Sequence, residues 1–285
     1  MYRRSVLICC FKLYALKKSI SCLLPMLFVA SFLNAQSLYF SLSNPAAFIN
    51  AYSQVQTDIF SFTGNQAALS SLDCSAVGVS GERRFLLTEN SMYNIAGAFI
   101  TKYGNLGIQV NHSGTNDYNE DRVMFAVAKN LSSHVQMGAS FNYYTYKTSG
   151  YNRSSLLNIE VGVLLPVSPD LTAGFHISNP LNKKNMDDSE VDLPYRYSFG
   201  LGYDISDDFF IGSSIQKEEN KPINIIVGFQ YQFKKQFIFK GGFVSETSSV
   251  YAGAGVLIKK MNLDFSVSQH PQLGITPGLA VSFKF

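Results

Sequence analysis

The 285-residue sequence has little charge, few cysteines and no tryptophan. Charged residues make up 15% of the chain, against about 25% in soluble globular proteins. The net charge of +3 is too small for a typical nucleic-acid-binding domain, so no nucleic-acid partner is expected. Four cysteines are too few for a disulfide scaffold. The aromatic content of 14%, all of it Tyr and Phe, excludes a disordered chain.

The first 35 residues differ in composition from the rest. They contain five basic residues and no acidic one, then an apolar stretch over residues 20–33 and Asn34-Ala35-Gln36. This order is typical of a cleaved signal peptide, with cleavage expected after Ala35. An N-terminal membrane anchor is the alternative, but the stretch is shorter than the ~20 residues of a spanning helix. Cleavage leaves 18 basic and 20 acidic residues, a net charge of −2, with Cys74 as the one remaining cysteine.

Beyond the signal peptide, no apolar run is long enough for a helical membrane span. Residues 195–203 instead alternate Tyr, Tyr, Phe, Leu and Tyr with Arg, Ser and two Gly. Residues 223–233 repeat this pattern, which is typical of β-strands with one apolar face. Fourteen such segments are expected, at about residues 75–84, 92–102, 105–113, 120–129, 135–147, 155–166, 171–178, 195–205, 209–217, 223–233, 236–245, 249–258, 261–268 and 277–285.

The connections between these segments favour a transmembrane barrel over a soluble sandwich. Every second connection is a tight turn, for example 103–104 and 259–260. The other set includes the longest loops, at 114–119, 148–154, 179–194 and 269–276. Outer-membrane barrels have an even strand number, short periplasmic turns and longer extracellular loops. Tyr143, Tyr144, Tyr146 and Tyr151 are interpreted as part of an aromatic girdle at the extracellular interface.

The C-terminus carries a further signal. The last seven residues alternate and end in Phe283, Lys284 and Phe285. They resemble the terminal strand that outer-membrane barrels present to the barrel-assembly machinery, so Phe283 and Phe285 are predicted to form an assembly signal. The expected fold is all-β: a transmembrane antiparallel β-barrel of about 14 strands with a short N-terminal plug segment. The expected location is the outer membrane of a Gram-negative bacterium, with outer-membrane lipid and the assembly machinery as partners.

Residues 36–74 do not alternate cleanly and contain Ser43-Asn44-Pro45-Ala46-Ala47 and Gly64-Asn65-Gln66-Ala67-Ala68-Leu69. The second motif resembles an Asn-Pro-Ala-Gly-Leu-type motif of barrels related to long-chain fatty-acid transporters, with Gln66 in place of Pro and Ala68 in place of Gly. The PorV/PorQ proteins of the type IX secretion system carry similar motifs. The resemblance implies a fourteen-stranded barrel with a plug. The predicted organisation is therefore a signal peptide (1–35), a plug segment (36–74) and an outer-membrane barrel (75–285).

Two sets of side chains are expected inside the barrel. The first belongs to the plug segment, either as plain packing or as the lining of a hydrophobic ligand pocket: Phe40, Phe48, Phe60, Phe62, Asn65 and Leu69. The second lies on the polar faces of strands, and its mixed signs favour paired charges that hold the wall over a selectivity ring: Arg122, Glu160, Arg196, Lys240, Asp264 and Lys284.

Catalytic and metal sites are not expected. His112 and Ser113 are adjacent in a predicted strand and so point to opposite faces. No His, Cys or Asp cluster has metal-ligand spacing, and no cofactor is expected. Because fold does not imply function, three hypotheses remain. They are a PorV/PorQ-type barrel in transport or surface secretion of proteins, a fatty-acid-transporter-like channel for hydrophobic small molecules, and a structural barrel without transport.

Overall fold

The computed structural model describes residues 45–151, 153–180 and 194–285. They form a closed antiparallel barrel of fourteen strands in which each strand pairs with its neighbours in sequence. The strands are β1 (Ala76–Arg83), β2 (Ser91–Phe99), β3 (Asn105–Gly114), β4 (Tyr118–Ser132), β5 (Val135–Thr148), β6 (Ser154–Pro166), β7 (Leu171–Ser178), β8 (Arg196–Ser206), β9 (Phe209–Glu218), β10 (Ile223–Phe233), β11 (Phe237–Val244), β12 (Ser249–Ile258), β13 (Met261–His270) and β14 (Gly274–Lys284).

The helices of the described residues are short. One α-helix, α1 (Pro45–Asn50), is followed by 3-10 helices at Ser61–Thr63, Gln66–Ser71, Arg84–Leu86 and Thr88–Asn90. Within the described ranges, no helix has the length and apolar character needed to cross a bilayer. The predicted signal peptide and Phe40 lie outside the described residues.

The alternation of the sequence maps directly onto the two faces of the wall. On β10, Phe229 is 44% exposed and the next residue, Gln230, is 7% exposed. The same reversal holds on β8, where Phe199 is exposed and Ser198 is buried. Large apolar side chains therefore cover the outer surface while polar and small residues face inward. This is the arrangement that a bilayer requires, because hydrocarbon surrounds the wall and all backbone groups bond within it.

The prediction of a fourteen-stranded antiparallel barrel is confirmed. The wall closes through β1 and β14, in a register that joins Ala76 to Lys284 and Glu82 to Gly278. Several strands are longer than predicted: β4 runs to Ser132 and β14 begins at Gly274. The predicted loop 269–276 therefore shrinks to 271–273. Residues 274–276, predicted as part of this loop, instead pair in register with residues 268–270 of β13.

The connections differ in length between the two ends of the barrel. The end where the wall begins and finishes has connections at 100–104, 133–134, 167–170, 207–208, 234–236 and 259–260. We call it the turn end, and the other the loop end. The loop end carries the longest connections, 84–90 and 179–195, but also short ones at 115–117 and 271–273. The sorting by length is therefore a tendency, carried mainly by two loops.

Residues 45–74, which we call the interior segment, pack against the inner wall. A first cluster joins Phe60, Phe62 and Leu69 to small wall residues such as Ala96 and Ala126. A second joins Tyr52 and Ala67 to Leu164 of β6, and a third joins Ile49 to Phe210 of β9. The buried core of the protein thus lies between the interior segment and the wall.

Candidate functional site in the barrel interior

Inward-facing glycines make room for the interior segment. A Cβ atom at Gly200 would lie 2.1 Å from Cζ of Tyr52, and one at Gly174 would lie 2.6 Å from Cε1 of the same ring. A Cβ atom at Gly162 would lie 2.1 Å from Oδ1 of Asn65. These separations are far shorter than ordinary contacts of ~3.5–4.0 Å. Glycine is needed here for close approach, because no larger residue fits beneath the segment.

Asn65 fixes the interior segment to β6 and β7. Its Nδ2 atom donates to the backbone carbonyls of Val163 (3.3 Å) and Phe175 (3.2 Å). Its Oδ1 atom accepts from the backbone N–H of Ala67 at 3.1 Å and so caps the following 3-10 helix. One side chain therefore satisfies both a helix end and two strand carbonyls, which explains why it is fully buried.

Gln66 contacts the most buried carboxylate of the described wall. Its Nε2 atom donates to Oε2 of Glu160 at 2.5 Å. Nε2 of His176 lies 3.4 Å from the same oxygen, and Ser178 and Asn158 donate to Oε1 at 3.2 and 3.4 Å. A buried charge is tolerated only when it is paired and hydrogen-bonded. The Glu160 cluster meets this condition with donors from β6, β7 and the interior segment.

The other predicted interior charges have separate partners. Arg122 is 2% exposed and donates to Asn111 (3.1 and 2.9 Å) and Gln109 (3.0 Å). Lys240 lies 3.2 Å from Asp264. Arg196 pairs with Glu218, which was not predicted. Lys284, in contrast, is exposed at the end of β14 and is not part of the interior.

The described side chains of the predicted plug set are all buried: Phe48, Phe60, Phe62, Asn65 and Leu69. Sequence reasoning missed Tyr52 and Gln66 as anchors, since each depends on a wall residue far away in the chain. The proposed aromatic girdle is partly wrong. Tyr143 and Tyr151 are exposed, but Tyr144 and Tyr146 are buried, because even-numbered residues of β5 face inward.

A cavity of about 40 Å³ lies between the interior segment and the seam of the wall. Apolar groups line one part of it: Ala47, Phe60, Met92, Leu279 and Ala280. Polar groups line the rest: Ser80, Glu82, Asn94 and Ser266. A cavity that binds benzene measures about 150 Å³. In this conformation the cavity can hold water but not an aromatic hydrocarbon.

The histidines do not form a catalytic arrangement within the described residues. Nδ1 of His112 lies 2.7 Å from Asp121 on the exposed outer surface. Ser133 and His134 share a 2.8 Å hydrogen bond in an exposed turn, but no acid orients that imidazole as a triad requires. Across the described ranges, no group of three His, Cys, Asp or Glu residues is placed to hold a metal ion.

No protein-family model and no curated protein matches the sequence. Solved structures with a similar fold include the Pseudomonas putida toluene transporter TodX (TM-score 0.61, 9% identity, covering 84% of this chain and 98% of that chain). The Ralstonia pickettii toluene transporter TbuX gives a TM-score of 0.59 at 13% identity, covering 80% and 94%. A Pseudomonas aeruginosa FadL homologue gives 0.58 at 9% identity, with the same coverage. At such identities the likeness establishes the fold alone, a closed antiparallel β-barrel.

Proposed function

We propose that this protein is an outer-membrane channel for small hydrophobic molecules and that the interior segment is its gate. The observation that carries the proposal is a closed barrel whose interior is occluded by its own chain, with an apolar-lined cavity beside Phe60. The fold is shared with proteins described as toluene transporters. A channel of this kind needs a site that accepts apolar molecules and a barrier that prevents leakage, and the interior segment supplies both.

The cavity dimensions define what the gate must do. At about 40 Å³ the cavity must grow several-fold before it holds a molecule the size of benzene. Phe60 lines the cavity from the interior segment, and Leu279 and Ala280 line it from the wall. Movement of Phe60 away from Gly78, on which its ring rests, enlarges the apolar part of the cavity. The hydrogen bonds of Asn65 and Gln66 to β6 and β7 hold the segment in the closed position and must be released in this movement.

A disulfide between the segment and the wall tests the gate. A Cβ atom at Gly162 would lie 3.0 Å from Cγ of Asn65, close to the position of the sulfur in an Asn65→Cys variant. We expect Asn65→Cys/Gly162→Cys, in a Cys74→Ser background, to block passage when oxidised and to restore it when reduced. Passage is measured as entry of a hydrophobic fluorescent dye into intact cells. The reduced protein is the matched control, because only the tether differs.

A polar dye of similar size controls for general leakage of the membrane. Equal hydrophobic dye entry in the oxidised and reduced states would refute gating by the interior segment. The channel itself would be refuted if the hydrophobic dye entered cells with the wild-type protein, and cells with the variant in both its oxidised and its reduced state, no faster than it enters cells without the protein.

A second candidate function is a PorV/PorQ-type barrel that holds or shuttles secreted proteins at the cell surface. The dense interior favours it, because the Glu160 cluster and the buried Arg122 leave the described lumen filled. Such a barrel needs an outer docking surface, for which the long loop 179–194 is the candidate; most of that loop lies outside the described residues. Purification from the native membrane separates the candidates: stoichiometric hydrophobic small molecules support the channel, and a co-purified secreted protein supports the second function.

A further inference from the structure

Exposed lysines gather at the turn end of the barrel, and we call six of them the basic rim; Lys284, at the end of β14, is a seventh at this end. The basic rim consists of Lys102, Lys129, Lys234, Lys235, Lys259 and Lys260. All six are exposed, and none of them makes an ion pair with another described residue. At the loop end, Arg84, Arg153, Arg196 and Lys221 are each paired with an acid. The exposed loop-end cations Arg83, Lys147 and Lys217 make no ion pair with a described residue but lie on three separate strands. The basic rim is therefore positive charge without an internal partner.

Three of these lysines occupy backbone conformations that do not favour lysine. Lys234, Lys235 and Lys259 have φ angles of 52°, 54° and 56°. Tight hairpin turns of this kind prefer Gly, Asn or Asp, which adopt positive φ at little cost. Their side chains make no ion pair with a described residue that would offset the cost. Lysine at these positions therefore points to a role for the charge itself.

The basic rim lies directly at the edge of the apolar belt. Nζ of Lys102 is 4.9 Å from the ring centroid of Tyr103, and Nζ of Lys234 is 5.3 Å from that of Phe233. Phe233 is 42% exposed on the outer wall, where aromatic residues mark the membrane interface. The ammonium groups therefore lie at the depth of lipid headgroups.

Most acids of the turn end are segregated from the basic rim; the exception is Asp73, which is exposed shortly before β1. Asp170, Asp207 and Asp208 occupy the turns after β6 and β8. The lysines occupy the turns after β2, β10 and β12 and the end of β4. The seam between β14 and β1 therefore lies within the basic arc, and the acidic turns lie on the remaining side. Charged residues that served only to keep the protein soluble would not need to be separated into a positive and a negative arc.

We propose that the basic rim binds the phosphate groups of anionic phospholipids in the adjoining leaflet and so fixes the turn end in the phospholipid headgroup layer. Three observations favour a lipid surface over an acidic soluble protein as the partner. The ammonium groups are exposed, they lie beside outward-facing aromatic residues, and they have no acidic partner among the described residues. Each lysine near an anionic membrane surface is worth about fivefold in association. This inference goes beyond the proposed channel and does not depend on what passes through it.

The test measures lipid selectivity directly. The full-length protein is reconstituted in phosphatidylcholine vesicles that contain trace spin-labelled phosphatidylglycerol or spin-labelled phosphatidylcholine. Electron paramagnetic resonance then gives the fraction of each label immobilised at the barrel. We expect phosphatidylglycerol to associate about twofold to fivefold more strongly than phosphatidylcholine, and this preference to fall at high salt because exposed charges are screened.

The variant Lys234→Gln/Lys235→Gln/Lys259→Gln/Lys260→Gln is expected to reduce the preference to near unity, and the four corresponding Lys→Arg changes to retain it. The matched control is Arg83→Gln/Lys147→Gln, which removes two exposed cations at the loop end and is expected to keep the preference. Heat-dependent gel migration verifies that each variant is folded. Retention of the preference by the Gln variant, or an equal loss in the control, would overturn the proposal. So would equal binding of both lipids together with capture of an acidic protein. Dye entry is read separately, so these outcomes leave the channel proposal intact.

Discussion

Replacement of Gly200 by alanine gives the most direct test of how the interior segment is held. The three atoms nearest to a Cβ at this position all belong to the Tyr52 ring, at 2.1, 2.3 and 2.5 Å. A Cβ atom at Gly174 would lie 2.6 Å from Cε1 of the same ring, and one at Gly202 would lie 2.2 Å from the backbone oxygen of Tyr52, so both the ring and the backbone of Tyr52 lie directly against the wall. The shortest separation is 2.1 Å and an ordinary contact is ~3.5 Å, so the ring must move away from the wall by more than ~1 Å.

Two effects bear on the expected cost. Alanine in a strand is favoured over glycine by about 0.5–1 kcal/mol, but this preference acts on β8 whether or not the interior segment is attached. Overpacking of a tight core costs about 1–3 kcal/mol, and here β8 is hydrogen-bonded to both neighbouring strands and cannot yield. Only the overpacking acts on the attachment of the segment, so a penalty of roughly 1–2 kcal/mol raises its detached population about tenfold.

Limited proteolysis of the folded barrel in detergent measures this population. We expect cleavage within residues 45–74 to be about tenfold faster in Gly200→Ala than in wild type, while the barrel keeps its heat-dependent gel migration. Gly253→Ala is the matched control, because its nearest neighbours are Phe265, Ser266 and Lys240 of the wall, with no atom of the interior segment. Tyr52→Ala combined with Gly200→Ala should cleave no faster than Tyr52→Ala alone. Equal cleavage of Gly200→Ala and Gly253→Ala would refute the reasoning.

Three further predictions concern the anchors, the pH dependence and assembly. Gln66→Ala removes a hydrogen bond to the buried Glu160 carboxylate and should lower the free energy of unfolding by about 1.5–3 kcal/mol. The control Gln54→Ala loses only a hydrogen bond between neutral groups, with Gln136, and should lower it less. A larger loss in Gln54→Ala would contradict the role of the Glu160 cluster. Burial raises the pKa of Tyr52 to about 12, so its phenol stays neutral in the folded state while the same group ionises near pH 10 in the unfolded state. The free energy of unfolding should therefore fall as the pH rises from 10 to 12. Thermal unfolding at each pH measures this fall, which should be smaller in Tyr52→Phe. Deletion of Phe285 removes the backbone bond to Ser75 and the ring contact with Phe99 and should reduce the outer-membrane yield; an unchanged yield would show that these closing contacts are dispensable.

The wall could be predicted from the sequence because each strand carries its own signal. Successive residues of β8 or β10 face lipid and the interior in turn, and the type of each side chain, apolar or polar, indicates which face it is on. The direction of a side chain cannot be predicted from its type where that type suits both lipid and the interior. In Tyr143-Tyr144-Thr145-Tyr146 every side chain has a polar tip, so only the register set by Phe141 and Asn142 reveals that Tyr144 and Tyr146 point inward.

The interior could not be predicted in the same way. Gln66 and Glu160 are separated by 94 positions, and neither residue carries a mark of its partner. Gly200 and Gly202 alternate with apolar residues in the sequence, a pattern that indicates on which face they lie but not why they are small. They are small because Tyr52 occupies the space above them. Contacts between distant segments depend on the closed wall, which local patterns do not encode.

The closure of the wall also constrains the order of folding. Ala76 pairs with Lys284, so the first strand finds its second neighbour only when the last strand is present. Nearly the whole chain must therefore be available before the seam forms, which makes closure a slow, non-local step. The interior segment precedes β1 in the chain, so it is available to pack against the strands before the seam forms. Its contacts with wall glycines such as Gly78 of β1 and Gly200 of β8 then stabilise strands that are still waiting for β14.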